Sequence, residues 1–197
     1  ASPLCDANES SGTPNFVFIQ GEGQGWASTS VQLDPNEPES KSRSFSTPNL
    51  ERLAREGIRF SNYYAPSPRC TPSRATYFTG LSPARLRMTF TGAGGDTGKA
   101  LIEPRVVSEL PQDVTTIAEL LKTAGYANAH FGKWHVGLTW VDENNQRLGG
   151  GFKNSLLIDY EKSTPLIDGP NARGFDESFV TPNCPNTDPL YVYIENG

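Results

Sequence analysis

Cys70, Arg74, Lys133 and His135 are the residues whose types and spacing invite chemistry. Cys70 opens the run Cys70-Thr71-Pro72-Ser73-Arg74-Ala75-Thr76-Tyr77-Phe78-Thr79-Gly80. Pro72 suits the first turn of a helix, where its missing N–H removes no bond. The spacing predicts a short helix over Ser73–Thr79, stopped by Gly80 at the C′ position. Cys70 then stands just before a helix N-terminus, where unpaired N–H groups and the helix dipole favour an anion. Arg74, one turn on, adds a planar fork of donors that matches a tetrahedral oxyanion. A cysteine-derived nucleophile, a helix N-terminus and an arginine together describe a site for a sulfate or phosphate ester. An isolated Cys-x-Pro-x-Arg would read better as a buried structural cysteine beside a surface arginine.

A second group is Gly132-Lys133-Trp134-His135-Val136-Gly137, at the C-terminal end of a strand expected over Tyr126–Phe131. Two positions apart on an extended chain, Lys133 and His135 face the same side. A point charge and an imidazole then converge on an anion. His130, inside the strand, reads as structural. A third group is Gly21-Glu22-Gly23-Gln24-Gly25-Trp26, after the apolar run Asn15–Gln20. That run reads as a buried strand opening an α/β sheet, and ligands gather at the C-terminal ends of such strands. Glu22 offers oxygen ligands of the kind calcium takes, whereas Gly23 offers only its backbone carbonyl. A tight strand-to-helix turn accounts for these glycines equally well.

Several elements must position these residues. Thr47 reads as an N-cap with Pro48 at N1, Leu50, Leu53 and Ala54 on one apolar face, and Gly57 as the stop. Ile58–Tyr64 alternates as a strand does and leads into the Cys70 loop. Thr116-Ile117-Ala118-Glu119 is a capping box. Ile117, Leu120, Leu121 and Ala124 line one face of the helix it opens, and Gly125 ends that helix. Tyr191–Glu195 reads as a last strand. Ser28–Ser44 is a polar excursion, and Ala1–Pro14 a loose arm. Gly92–Ala100 imitates a phosphate-binding loop but fails as one. Ala93 stands at the first glycine position, and Ala100 where a Ser or Thr would hold magnesium. Trp140–Gly169 is polar and glycine-rich around Leu156-Leu157-Ile158 and carries no assignable role.

The 197 residues suggest one domain, or one and a fraction, and their 19 Gly and 16 Pro point to many turns. With a net charge of −5 and scattered basic residues, nucleic acid is excluded as a partner. No apolar run approaches the ~20 residues that span a bilayer. A signal peptide is presumed removed. Three cysteines are too few for a disulfide framework, although Cys5 and Cys184 could pair, leaving Cys70 apart. Asn8-Glu9-Ser10 matches a glycosylation sequon.

The Cys70–Gly80 stretch resembles the sulfatase signature, Cys-x-Pro-Ser-Arg followed shortly by Thr-Gly. Cys70, Pro72, Ser73, Arg74, Thr79 and Gly80 fall in place. Asn15–Trp26 is similar to that family's apolar strand followed by Asp-Asp-x-Gly-Trp, with Glu22 and Gly23 at the aspartates. Thr47–Leu53 resembles its Thr-Pro-Asn-Leu-x-x-Leu helix. Gly132–Gly137 resembles its Gly-Lys-Trp-His-Leu-Gly, with Val136 for Leu. Arg173-Gly174-Phe175-Asp176-Glu177 resembles its His-Gly-Phe-Asp-Glu, with Arg173 for His. The resemblance covers residues 14–140 and, more thinly, 170–180.

That resemblance implies an α/β fold of the alkaline phosphatase-like kind, a mixed sheet flanked by helices, incomplete at the C-terminal end. Residues 1–13 would be an arm, and 14–197 the N-terminal part of a catalytic domain. The family's later Asp-Asn metal pair, second lysine and second histidine have no counterpart here. A maturation enzyme, the formylglycine-generating enzyme, would oxidise Cys70 to formylglycine, and one hydroxyl of the hydrated aldehyde would attack sulfur. Arg74 would orient the formylglycine, Lys133 would contact it and the sulfate, and His135 would hydrogen-bond the gem-diol. A divalent metal, calcium, would take Glu22 and the residue derived from Cys70 as ligands, although Gly23 replaces the second aspartate. The implied substrate is a sulfated carbohydrate or aryl sulfate, and the implied location periplasmic or extracellular. A phospho- or phosphonate-ester hydrolase of the same superfamily, or a non-catalytic relic that binds anions or glycans, remains open.

Overall fold

The computed structural model describes residues 12–91, 107, 109–148, 166–184 and 192–197. The expected N-terminal arm, the Cys5 pairing, the Asn8 sequon, the Gly92–Ala100 loop and the Leu156–Ile158 patch lie wholly or mainly outside them. The chain divides into two compact units, Ala1–Tyr63 and Tyr64–Gly197.

In the first unit, a short 3-10 turn (Pro38–Ser40) precedes helix α1 (Pro48–Glu56). Pro48 starts α1 and Gly57 stops it, its N–H reaching the Leu53 carbonyl. Thr47 occupies the N-cap position, but its hydroxyl does not cap. Instead Thr47 Oγ1 accepts from the Ser30 N–H at 2.9 Å, and the Thr47 N–H donates to Ser30 Oγ at 2.8 Å. The polar excursion is therefore stitched to α1. Ser40 anchors its middle, accepting from the Asp34 N–H and donating to the Glu37 carbonyl.

Two expected strands do not form. Asn15–Gln20 takes no strand assignment, and Phe16, Val17, Phe18 and Ile19 are 66–86% exposed. Ile58–Tyr64 likewise stays irregular, with Ile58, Phe60, Tyr63 and Tyr64 exposed. Apolar runs become strands only where neighbouring backbone completes a ladder. The first unit has no strand among its described residues. The apolar face of α1 is open for the same lack of a partner: Leu50 and Leu53 are exposed.

The second unit holds the sheets and the core. Helix α2 (Cys70–Thr79) is followed by a single turn, α3 (Pro83–Leu86), and by α4 (Ile117–Thr123). Strand β1 (Ala129–Lys133) pairs in parallel with β5 (Glu177–Thr181), which pairs antiparallel with β6 (Ile194–Glu195). This is the expected mixed sheet. Between β1 and β5 the chain makes a second, antiparallel sheet: β2 (Thr139–Val141) lies between β3 (Arg147–Leu148) and β4 (Leu166–Asp168). The described parts of the segment without an assignable role thus supply β3, β4 and most of β2. Ala75, Met88, Trp134, Val136 and Val180 lie at the centre of the core.

The ends of α4 follow its local sequence. Thr116 and Glu119 form the reciprocal capping box. At the other end the Gly125 N–H reaches the Lys122 carbonyl and the Tyr126 N–H the Leu121 carbonyl, with Gly125 at φ +83°. That is a Schellman motif. The expected apolar face is misphased, because Ala118 is buried whereas Ile117 and Leu120 are exposed. Gly174 explains the docking. At φ +94° it abuts the first turn, and a Cβ there would sit 2.4 Å from the Glu119 nitrogen. Backbone contacts at Gly174 and Asn128, whose side-chain amide donates to the Ala118 carbonyl, select the face.

Candidate active site

Helix α2 begins at Cys70 itself, three residues before the expected start, with Arg69 extended at the N-cap. Cys70 therefore belongs to the first turn, whose N–H groups lack intrahelical partners. The turn is rigidly seated. Ser73 Oγ donates to the Ser67 carbonyl at 2.7 Å, and Thr71, Pro72, Ser73, Arg74 and Ala75 are all buried. Gly80 closes the helix in the left-handed region at φ +70°.

Arg74 is only 7% exposed. Its Nη1 donates to the Lys133 carbonyl at 2.5 Å. The guanidinium thus ties the cysteine helix to the end of β1, so at least one of its five donors serves the scaffold. This single bond fixes Cys70 and Lys133 in one frame.

The turn after β1 is held from several sides. The Trp134 N–H donates to the Thr181 carbonyl and the His135 N–H to the Pro182 carbonyl, both at 2.9 Å. The Leu110 N–H reaches the Val136 carbonyl, and Trp134 Nε1 the Gly137 carbonyl at 2.6 Å. Within this frame His135 is left-handed, at φ +54°. Alternation along an extended chain therefore does not decide how Lys133 and His135 face. A non-glycine residue in that region carries strain of order 1 kcal/mol or more, and persists where its surroundings over-determine it.

Two features escaped the sequence reading. His130 packs among Phe78 from α2, Trp134 and Phe175, with ring centroids 5.3–5.5 Å away. Its Nε2 lies 3.3 Å from the same Lys133 carbonyl that Arg74 uses. A carbonyl only accepts, so Nε2 carries the hydrogen. Burial pushes the His130 pKa below its ordinary value, the Lys133 bond partly opposes this, and the Arg74 charge lowers it further. Burial thus favours the neutral imidazole. One apolar side of an aromatic cluster would have been the signal: Phe78, Trp134 and Phe175 stand in three separate motifs.

The second feature is a buried ion pair. Arg173 Nε and Nη2 donate to the two Asp168 oxygens at 2.7 and 2.8 Å. The same guanidinium donates to the Leu110 and Pro111 carbonyls, and Gln112 adds a bond to Asp168. Arg173 thereby fixes the segment that meets the His135 turn through Leu110. An acid and an arginine flanking Gly169-Pro170 was the available signal, since a turn brings such charges together.

Glu22 belongs to the first unit and lies in an exposed loop, with Gly23 at φ +60°. Calcium takes six to eight oxygen ligands. Among the described residues no three His, Cys, Asp or Glu side chains form a group able to hold a metal ion. Glu22 and Gly23 together offer this loop one carboxylate, short of what calcium takes.

A family model described as Sulfatase matches residues 14–185. N-acetylgalactosamine-6-sulfatase of Sus scrofa is 32% identical over 171 residues, which is 87% of this chain and 26% of that protein. Arylsulfatase G of Canis lupus familiaris is 34% identical over 94% of this chain and 30% of its own. Steryl-sulfatase of Mus musculus is 38% identical over 82% and 26%. A solved structure described under the metabolism of multiple glycosaminoglycans by Bacteroides thetaiotaomicron superposes with a TM-score of 0.57 and 30% identity. It covers 79% of this chain and 27% of that one. The chain thus spans between a quarter and a third of the length of these relatives. With five ordered motifs, one matched model and a shared fold, this chain belongs to the sulfatase family.

Proposed function

We propose that the protein hydrolyses sulfate esters with a nucleophile derived from Cys70. The observation that supports this most directly is the Arg74–Lys133 bond. It joins a cysteine in the first turn of a helix to a lysine at a strand end. Oxidised to formylglycine by a maturation enzyme, Cys70 would supply a hydrated aldehyde as nucleophile. Arg74 holds that residue in orientation. The Lys133 ammonium neutralises charge on the sulfate oxygens as the ester bond breaks. His135, beside it in sequence, holds a proton at its imidazole for the hydroxyl groups of the site. The relatives are named as N-acetylgalactosamine-6-, aryl- and steryl-sulfatases, and the solved neighbour concerns glycosaminoglycan metabolism. A sulfated carbohydrate is the substrate class we favour, in a periplasmic or extracellular setting. Among the described residues no helix is long and apolar enough to cross a membrane.

Co-expression with a formylglycine-generating enzyme, followed by peptide mass spectrometry, tests the nucleophile. The peptide carrying Cys70 should hold an aldehyde in place of the thiol. An unmodified thiol overturns that part. Turnover of an aryl sulfate should exceed that of the matching aryl phosphate in the full-length protein, and the reverse ratio would reassign the enzyme to phosphate esters.

Glu22 contributes one carboxylate and Gly23 none, so the 197 residues are expected to bind calcium weakly or not at all. Calorimetric titration checks this, and tight binding would show that the chain completes the site by itself.

A further inference from the structure

His130 is a half-buried titratable group that the proposed reaction does not use. It is placed where it bears on a residue that the reaction does use. The Lys133 carbonyl receives Arg74 Nη1 at 2.5 Å and faces His130 Nε2 at 3.3 Å. Both are donors to one oxygen, so the imidazole and the guanidinium meet at a shared acceptor. The ring packs against Phe78, Trp134 and Phe175. These are apolar walls from α2, from the turn after β1 and from the segment before β5. None offers a carboxylate to compensate a charge on the ring. Among the described residues, the charged group that bears on it is Arg74.

We propose that neutral His130 is a positioning residue for Arg74 and for the Lys133 strand end, and that protonation of its ring undoes this arrangement and sets the acid limit of the site. The proposal rests on the reading of Arg74 and Lys133 as active-site groups. Its physical cause is simple. A neutral ring fits among three aromatic neighbours and lends the carbonyl a second donor. A cationic ring would place like charges around one oxygen in a poorly hydrated setting, where neither is well screened. Arg74 cannot shed its proton, so the strain falls on the His130 contact and the packing of Phe78.

The sign of the effect follows from the direction of the shift. The pKa of His130 is lowered in the folded chain relative to its ordinary value of 6.5. The unfolded chain therefore takes up a proton at higher pH than the folded one. The stability that His130 contributes is full above pH 6.5, and it declines as pH falls from there through the folded-state value.

The experiment uses the full-length protein, with wild type, His130→Gln and His130→Leu compared between pH 5 and 8. Glutamine places an amide donor near the Nε2 position but does not titrate; leucine does neither. Thermal unfolding and the histidine proton titration by NMR read the coupling without reference to activity. We expect His130 to titrate below 6.5, and the fall in melting temperature on acidification to be smaller in His130→Gln than in wild type. For kcat/KM on an aryl sulfate, we expect His130→Leu to lose about five- to tenfold near pH 8, mostly in kcat, as suits loss of one hydrogen bond behind Arg74. His130→Gln should recover most of that loss and should shift the acid limb to lower pH. A His130 that titrates at or above 6.5, or a Gln variant whose acid limb and melting curve match wild type, overturns the proposal. If no variant turns over sulfate at any pH, the functional reading fails, and the NMR and melting data still decide whether His130 and Arg74 are coupled.

Discussion

Replacing Lys133 by alanine is expected to lower kcat for an aryl sulfate by about 10²–10³-fold, the scale for removing one preorganised group from the transferring oxyanion. The melting temperature should move little. The reason lies in which atoms of Lys133 do which work. Its backbone carbonyl receives Arg74, and its backbone pairs with Thr181 across the β1–β5 ladder. Both survive truncation of the side chain. The half-buried ammonium is the part that alanine removes. KM should change less than kcat, because charge builds on the sulfate oxygens as the ester bond breaks. A variant that retains turnover but melts much earlier would assign the side chain to the scaffold.

Breaking the Asp168–Arg173 pair is expected to have the largest effect on folding. The two side chains are 10% and 4% exposed. Removing one partner of a buried pair leaves an uncompensated charge, at a loss of about 3–5 kcal/mol. For a chain of this size that corresponds to a fall of roughly 10 °C in melting temperature. Arg173→Ala should be the more severe change, since it also strips the Leu110 and Pro111 carbonyls of donors. The double variant Asp168→Leu with Arg173→Met removes both charges, yet those carbonyls and Gln112 still lose their partner. It should therefore remain less stable than wild type. Thermal melts of the three variants check this. Recovery of full stability by the apolar pair would mean that the carbonyl bonds contribute little.

What was legible in the sequence was mostly what is decided locally. Pro48 and Gly57 bound α1, Gly80 ends α2, and Thr116, Glu119 and Gly125 bound α4, because caps depend on residues within one turn. The mixed sheet was expected, and β1 arrives close to its expected place, ending at Lys133 rather than Phe131. The two strands expected before Cys70 fail because a strand is a relation between segments. The runs Asn15–Gln20 and Ile58–Tyr64 have the right residues and no assigned ladder. The phase of α4 was misread because seven residues make only two turns. Apolar side chains then stand on more than one side, and the position of Gly174 breaks the tie. His135 could not be read as left-handed, since histidine has no local reason to adopt φ +54°. The candidate site residues were singled out because family motifs mark them, whereas the packing of His130 and the pairing of Arg173 with Asp168 join segments that no single motif spans.

The ties that join the separate segments of the site span long stretches of chain. Arg74 and Lys133 are 59 positions apart, Arg173 and Leu110 are 63 apart, and Asn128 and Asp176 are 48 apart. Closing such loops removes entropy before any contact returns it, although the loss grows only slowly with length. The site therefore has no local version. A peptide holding Cys70 to Gly80 keeps the chemistry in its letters and none of the frame that aims it. Contacts that share segments in this way are expected to open together, as a cooperative unit.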